Sequence, residues 1–316
     1  MNETPNQMSM PLLGIDWGTT NRRAYVLDAQ GNLVRQHNDE LGILAVQGAF
    51  EKSLADLLRK LELEHAEVLM SGMVGSRNGW RQAPYLSIDQ PLSALPDALV
   101  KVETALPNVR CRIVPGYRSL AANGMPDVMR GEETQVLGAL ALGTTNGWFV
   151  LPGTHSKWVR VEGGAITEIL TFMTGELFAL LSRHGTLAAL MQEQQPVFSA
   201  FESGMSASRQ GGFTHMAFSC RALVVTDAMP AAHAWSYLSG LLIGSELHEI
   251  RRRTTGQDTL AVQIIGSPVL AENYIAALQF FGMSARVWPP DDVYVAALRV
   301  LAGIEHDDDR KDHAYS

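Results

Sequence analysis

The chain of 316 residues is long enough for two domains of ordinary size, each with its own core. Apolar residues make up 46% and charged residues 18%, which excludes a disordered polymer, and the net charge of −8 argues against a nucleic-acid partner, for which a basic stripe is expected. Cys111 and Cys220 are too few for a disulfide framework, no run approaches the ~20 apolar residues of a membrane span, and the opening ten residues lack the basic and apolar regions of a signal peptide. The expectation is a soluble cytoplasmic protein without a membrane partner.

The first element reads as a β-hairpin. The apolar run Leu12–Ile15 delivers Asp16, the tip is Gly18-Thr19-Thr20-Asn21, and a second run leads through Arg22 and Arg23 to Asp28. Such a tip is too small and too polar for packing. Gly18 lets backbone approach a ligand, and the Thr19 and Thr20 hydroxyls with successive N–H groups form an anion-binding concavity. A carboxylate beside a phosphate cradle points to Mg²⁺, which takes one or two carboxylates, waters and phosphate oxygens. An ordinary Gly-Thr turn is the bland alternative.

Phe50, Leu54, Leu57, Leu58 and Leu61 fall on one helical face, and Glu67–Met70 is a strand. That strand runs into the glycine-punctuated loop Ser71–Trp80, at a strand end where α/β folds place their ligands. Ser76, Arg77, Asn78 and Trp80 there either line a small polar substrate's pocket or, for Trp80, cap a core. A further strand spans Cys111–Gly116. In Arg130-Gly131-Glu132-Glu133 a helix begins at Glu132; acidic residues suit a helix N-terminus, which is the bland account of the pair. The sharper reading makes one carboxylate a general base, with Arg130 tuning it or binding an anionic substrate.

In the second half, strand Trp148–Leu151, turn Pro152-Gly153-Thr154-His155 and strand Trp158–Val161 repeat the grammar of the opening hairpin, as a duplicated phosphate-gripping architecture would. Lys157 is a further candidate cation there. An apolar helix covers Tyr237–Glu246, with Gly240 and Gly244 allowing close packing. Leu260–Ile265 is a buried strand that ends in Gly266-Ser267-Pro268, followed by helices over Leu270–Leu278 and Tyr294–Ala302. The nine histidines show no metal spacing, and neither a Gly-x-x-x-x-Gly-Lys-Ser/Thr loop nor a Gly-x-Gly-x-x-Gly turn is present. His306–Asp312 is a solvated charge run.

These motifs resemble the sugar kinases of the actin, hexokinase and Hsp70 superfamily. Segments Ser71–Trp80, Met129–Gln135, Leu151–Trp158, Met173–Leu177 and Tyr237–Glu246 are similar, more narrowly, to the 2-dehydro-3-deoxygalactonokinase family, from Leu12 to Gly303. The resemblance implies an α/β fold of two actin-like (ribonuclease H-like) domains flanking a nucleotide cleft. Residues 1–10 would be a disordered start, 11–146 the first domain with the sugar-acid site, 147–304 the second with the adenosine site, and 305–316 a charged tail. It implies ATP and Mg²⁺ as cofactors, Asp16 at the metal, and phosphate grips from Gly18, Thr19, Thr20, Arg23, Gly153, Thr154 and Lys157. Gly266 and Ser267 would lie at the adenosine, Glu132 would be the base with Glu133 as the alternative, and Ser76, Arg77, Asn78, Trp80 and Arg130 would bind the substrate. The implied reaction phosphorylates the 6-hydroxyl of 2-dehydro-3-deoxy-D-galactonate in galactonate catabolism. Alternative acceptors are the gluconate epimer or another aldonic acid, and the competing class is an ATPase switch of actin or chaperone type. The wider family uses Asp as base and a Gly-Gly pair at the adenosine, so Glu132 and Gly266-Ser267 depart from it. A homodimer is the default assembly.

Overall fold

The computed structural model describes residues 10–121, 123–191, 196–253 and 261–304; the expected disordered start up to residue 9 and the charged tail lie outside them, as does Leu260. The chain divides into two compact units, the first running through Asn146 and the second beginning at Gly147.

In the first unit the expected hairpin forms from β1 (Leu12–Trp17) and β2 (Arg22–Leu27), followed by β3 (Leu33–Asp39), the short α1 (Ile43–Val46) and α2 (Phe50–Lys60). Then come β4 (Ala66–Gly72), β5 (Tyr85–Ser87), β6 (Val100–Val102), β7 (Val109–Ile113), β8 (Gly116–Leu120), β9 (Pro126–Met129) and α3 (Glu132–Ala141). The main sheet has the order β3-β2-β1-β4-β7-β6, with β1, β4 and β7 parallel; β5, β8 and β9 form a small second sheet. Leu13, Ile15 and Trp17 are fully buried beside Phe50, Leu54 and Leu57 of α2, so the apolar face that defines the helix is the one that covers the sheet.

The second unit holds β10 (Gly147–Leu151), nearly all of β11 (Ser156–Glu162) and, apart from Ala165–Ile169, which group with the first unit, the elements that follow up to Pro289. In order these are β12 (Ala165–Phe172), α4 (Thr174–Arg183), α5 (Gly185–Ala188), α6 (Phe198–Ala207), α7 (Phe213–Val225), α8 (Ala234–Arg253), β13 (Val262–Ile265), α9 (Pro268–Phe280) and β14 (Ala285–Trp288). Its sheet order is β12-β11-β10-β13-β14. Position for position this repeats β3-β2-β1-β4-β7: the antiparallel hairpin pair (β2–β1, β11–β10) lies beside a run of parallel strands (β1-β4-β7, β10-β13-β14). The duplicated hairpin grammar of the sequence is therefore a duplicated sheet. Gly240 and Gly244 lie where α8 crosses α6; a Cβ on Gly240 would stand 2.0 Å from the Phe201 carbonyl oxygen, so close packing is their role.

The expected second domain, 147–304, is not one unit. Glu162–Ile169 and the chain from Pro290 onward group with the first unit. The last helix, α10 (Pro290–Ala302), starts four residues before the predicted Tyr294, with Pro290 in its first turn and Asp291 and Asp292 suited to its N-terminus. It covers the first sheet: Gly14 of β1 has no side chain because Leu298 occupies that space. It also lies on α3, where a Cβ on Gly138 would stand 1.7 Å from the Val293 carbonyl oxygen, a backbone atom that cannot move aside. Alanine in a helix interior ordinarily gains up to ~1 kcal/mol over glycine. Gly138→Ala is expected to reverse that sign and destabilise the fold by about 1–3 kcal/mol through overpacking, read by urea unfolding.

Candidate active site

Parallel strands of an open α/β sheet offer a crevice beyond their carboxyl ends. In the first unit those ends are Trp17 of β1 and Gly72 of β4, paired in register, as are Asp16 and Ser71. Gly72 has φ +86°, and a Cβ there would lie 3.3 Å from Asp16 Oδ1. Gly131, with φ +110°, approaches the other side: its Cβ would lie 3.1 Å from the Gly72 Cα. Two glycines thus bring Asp16 and the start of α3 to one place, which no local reading of either segment contains.

Glu132 and Glu133 divide sharply in environment. Glu133 is fully buried; both its oxygens accept the Gly131 N–H (2.9 and 2.8 Å), and one accepts the Thr134 hydroxyl at 3.1 Å. Burial, then repulsion from Glu132, pushes its carboxyl up to about 7, against the pull of these donors. Glu132 is half-buried, and its Oε2 accepts the Arg130 N–H at 2.9 Å. Macrodipole decoration therefore does not account for Glu133, whose carboxylate is folded back to hold the Gly131 turn.

Asp16 is half-buried, and burial pushes its carboxyl upward while Arg23 pulls it back in part. Arg23 lies opposite it in the β1–β2 register. Burial works against the Arg23 charge, but Asp16, Tyr25 and Asp291 outweigh it and hold the guanidinium charged. Tyr25 donates to Asp291 at 2.7 Å, and the Ser71 and Tyr294 hydroxyls are 2.9 Å apart. Sequence reading missed Tyr25, Asp291 and Tyr294; partners 266 and 223 positions apart leave no local signal.

At the hairpin tip Thr19 and Thr20 are exposed and Gly18 half-exposed. Their carbonyls are taken by a neighbouring turn: Gly42 N–H donates to Thr20 at 3.0 Å, Leu44 to Thr19 at 3.2 Å and Ile43 to Gly18 at 3.0 Å. The tip is therefore braced through its backbone, with Thr19 and Thr20 exposed.

Of the expected substrate residues, Arg130 and Ser76 carry buried polar atoms without a hydrogen-bond partner. Arg130 is 8% exposed, stacks 4.2 Å from the Tyr85 ring centroid, and donates through Nη2 to the Ala83 carbonyl at 2.9 Å. Its Nε and Nη1 are buried without a partner, as is the Ser76 hydroxyl, and Gly75 admits Nη1 so closely that a Cβ would stand 2.9 Å from it. Buried donors are normally paired, so these three are an exception among the described residues, one shared with the Trp148 indole N–H. Arg77 and Asn78 are exposed. Trp80 stacks on Phe50 at 6.2 Å and 9° and joins the core, so of its two readings its ring follows the core-capping one.

In the second unit, Gly153 and Thr154 form the exposed tip between β10 and β11, as β1–β2 predicts by analogy. Gly266 lies against Pro152, where a Cβ would stand 2.9 Å from the ring, and Ser267 precedes α9 with its side chain exposed. Lys157 is buried within β11, and its Nζ donates to the Thr171 hydroxyl at 2.7 Å. His155 is held by Glu176 at 2.6 Å, the hydrogen-bonded loop histidine.

A family model described as 2-keto-3-deoxy-galactonokinase matches residues 16–301. The chain belongs to this family. It is a family of carbohydrate kinases, and the kinase reading stands on that membership. The 2-dehydro-3-deoxygalactonokinase of Escherichia coli (strain K12) is 32% identical over 297 residues, covering 93% of this chain and 98% of that protein. A crystal structure of a candidate 2-dehydro-3-deoxygalactonokinase from Sinorhizobium meliloti superposes with TM-score 0.84 at 32% identity, over 92% of this chain and 95% of that one. Component A of (R)-2-hydroxyglutaryl-CoA dehydratase from Acidaminococcus fermentans shares the fold at 13% identity and TM-score 0.50, over 94% and 99% of the two chains. The fold is that of the actin-like ATPases and sugar kinases, and the repeated sheet order agrees with it. No helix among the described residues is long and apolar enough to cross a membrane.

The buried Glu133 carries a pH signature. Its folded carboxyl lies above the ordinary 4.5, so the native state holds that proton more tightly than the unfolded chain. Its contribution to stability is therefore fullest below pH 4.5 and is lost as pH rises through about 7, a change of about 3 kcal/mol. Glu133→Gln keeps a carbonyl acceptor for Gly131 and is expected to flatten that slope in denaturant unfolding between pH 5 and 8. An identical slope in both proteins would assign the proton elsewhere.

Proposed function

We propose that the protein transfers the γ-phosphoryl group of ATP to the 6-hydroxyl of 2-dehydro-3-deoxy-D-galactonate, giving the 6-phosphate and ADP, as a step of galactonate catabolism. The observation that carries the substrate class is Arg130: a buried guanidinium with two unpaired nitrogens, next in sequence to the Gly131-Glu132 turn. A sugar acid supplies the carboxylate that such donors want and a hydroxyl for the neighbouring base. Neutral sugars supply only the second. The Ser76 hydroxyl, also buried and unpaired and next in sequence to the Gly75 that admits Nη1, is a further candidate donor.

Phosphoryl transfer asks the protein for positioning and charge stabilisation more than covalent chemistry. Glu132 is the base in this reading. It is half-buried and so open to the acceptor hydroxyl, whereas the oxygens of Glu133 are closed over Gly131. Glu132 takes the proton from the hydroxyl as the oxygen attacks; Glu133 keeps the Gly131 turn in shape. Thr19 and Thr20, and in the second unit Gly153 and Thr154, bind phosphate oxygens through hydroxyls and N–H groups. Arg23 adds a charge held firmly on. Gly266 and Ser267 are assigned to the adenosine.

Asp16 suits Mg²⁺. It is one half-buried carboxylate whose ionised form is only partly compensated by Arg23, and a hard cation that keeps its waters and phosphate oxygens needs no more than that from the protein. Bound with ATP, the ion would neutralise charge on the phosphates.

An ADP-release assay with Mg-ATP, run against 2-dehydro-3-deoxy-D-galactonate, its gluconate epimer and no acceptor, tests the assignment. Release with the galactonate alone is expected; equal release with both epimers broadens the substrate, and release without acceptor favours the ATPase-switch class. Glu132→Gln is expected to lower kcat by about 10²–10⁴ with unchanged thermal unfolding. Loss of turnover in Glu133→Gln but not Glu132→Gln would move the base by one residue. Arg130→Lys keeps the charge but not the planar donor set, and is expected to raise KM for the sugar acid about tenfold or more while KM for ATP stays put.

A further inference from the structure

We infer that the buried Glu246 carboxylate, acting through Thr174, is a positioning group that holds the Gly153–Thr154 hairpin in its phosphate-binding shape; this rests on the reading of that hairpin proposed above. Glu246 lies on α8 and is 2% exposed. It accepts the Ser156 hydroxyl at 2.8 Å, the Trp158 indole N–H at 2.5 Å, the Tyr274 hydroxyl at 3.0 Å from each oxygen, and the Thr174 hydroxyl. All these donors are neutral. Burial pushes the carboxyl up, and Thr174, Trp158, Ser156 and Tyr274 pull it back.

A buried carboxylate with no cation is costly unless its oxygens are filled by hydrogen bonds, and apolar packing would be the cheaper core. What the carboxylate supplies is acceptor capacity: two oxygens gather donors from β11, α9 and the start of α4 onto one point. Ser156 and Trp158 begin the strand that leaves the hairpin tip. Thr174 begins α4, and the two residues after it bear on the tip itself. A Cβ on Gly175 would stand 2.2 Å from the Gly153 carbonyl oxygen, and the Glu176 N–H donates to the Thr154 carbonyl at 2.8 Å. The Glu176 carboxylate holds His155 at 2.6 Å. The tip is thus gripped by Thr174–Glu176, and that segment is anchored by Glu246.

A cavity of about 170 Å³, lined by Phe172, Leu177, Phe213 and Leu242, adjoins Thr174 and Glu246. Thr174 and Glu246 both line it, and their hydrogen bond ties the start of α4 to α8 beside that space. The same arrangement has a counterpart in the first unit, where the Gly42–Leu44 turn braces the Thr19–Thr20 tip through backbone bonds. The second tip uses a side-chain hub for the same task.

The test compares Thr174→Val, Thr174→Ser, Gly175→Ala and Thr154→Val in the full chain, reading the Kd for ATP, KM for each substrate and Tm. Thr174→Val removes the hydroxyl at nearly constant volume, and Thr174→Ser restores it. Thr174→Val and Gly175→Ala are expected to weaken ATP binding about tenfold, with KM for the sugar acid within about twofold of the parent and Thr174→Ser close to the parent throughout. Unchanged ATP affinity in Thr174→Val and Gly175→Ala, with weakened binding in Thr154→Val, overturns the positioning role and leaves the hairpin reading intact. Equal weakening in Thr174→Val and Thr174→Ser also overturns it, because the hydroxyl would not be the operative group. Unchanged affinity in Thr154→Val as well overturns the hairpin reading itself.

Discussion

The backbone of Gly72 is the point on which the first unit's site depends. It ends β4 with φ +86°, touches Asp16 on one side, and on the other meets Gly131, itself at φ +110°. A side chain at either glycine would separate the carboxylate of β1 from the start of α3. Because both conformations are strained for any residue with a Cβ, the juxtaposition is fixed by covalent geometry before any side-chain contact is made. The rest follows outward. α3 begins where Gly131 lets it, Glu133 folds back onto the Gly131 N–H, and Glu132 is left as the more open carboxylate.

Three carboxylates that burial pushes upward in pKa are handled in three ways, and the differences follow function. Asp16 has one cation, Arg23, which only partly offsets burial, so it retains an appetite for positive charge. Glu133 has backbone and hydroxyl donors and a like charge beside it, and it stabilises a turn. Glu246 has neutral donors from three elements and organises a hairpin. Arg130 is the converse case: a buried cation with donors to spare. Unpaired buried donors are costly, and Arg130 keeps two of them.

Much of this was legible in the sequence. Both hairpins were readable from apolar runs broken by Gly-Thr turns, because a strand alternates and a small polar tip cannot pack. Helix α2 was readable from Phe50, Leu54, Leu57 and Leu58 at helical spacing, and the helix start at Glu132 from its acidic first turn. The roles of Gly240 and Gly244 also followed, since two small residues four apart on an apolar helix give a neighbour room. Trp80 and Lys157 show the limit. Each has the right chemistry in the right segment, yet Trp80 stacks on Phe50 and Lys157 turns to Thr171.

By itself, then, the sequence determined the local elements, the two hairpins with their small polar tips and the candidacy of Asp16, Arg130 and the Glu132–Glu133 pair. These depend on residue type and short spacing alone. Tertiary structure decided which of the paired glutamates is closed, which arginine keeps unpaired donors, and where the chain after Pro290 belongs. It also supplied Tyr25, Asp291, Tyr294 and Glu246, each defined by partners tens to hundreds of residues away. Burial and long-range pairing are properties of the folded chain, and no local pattern encodes them.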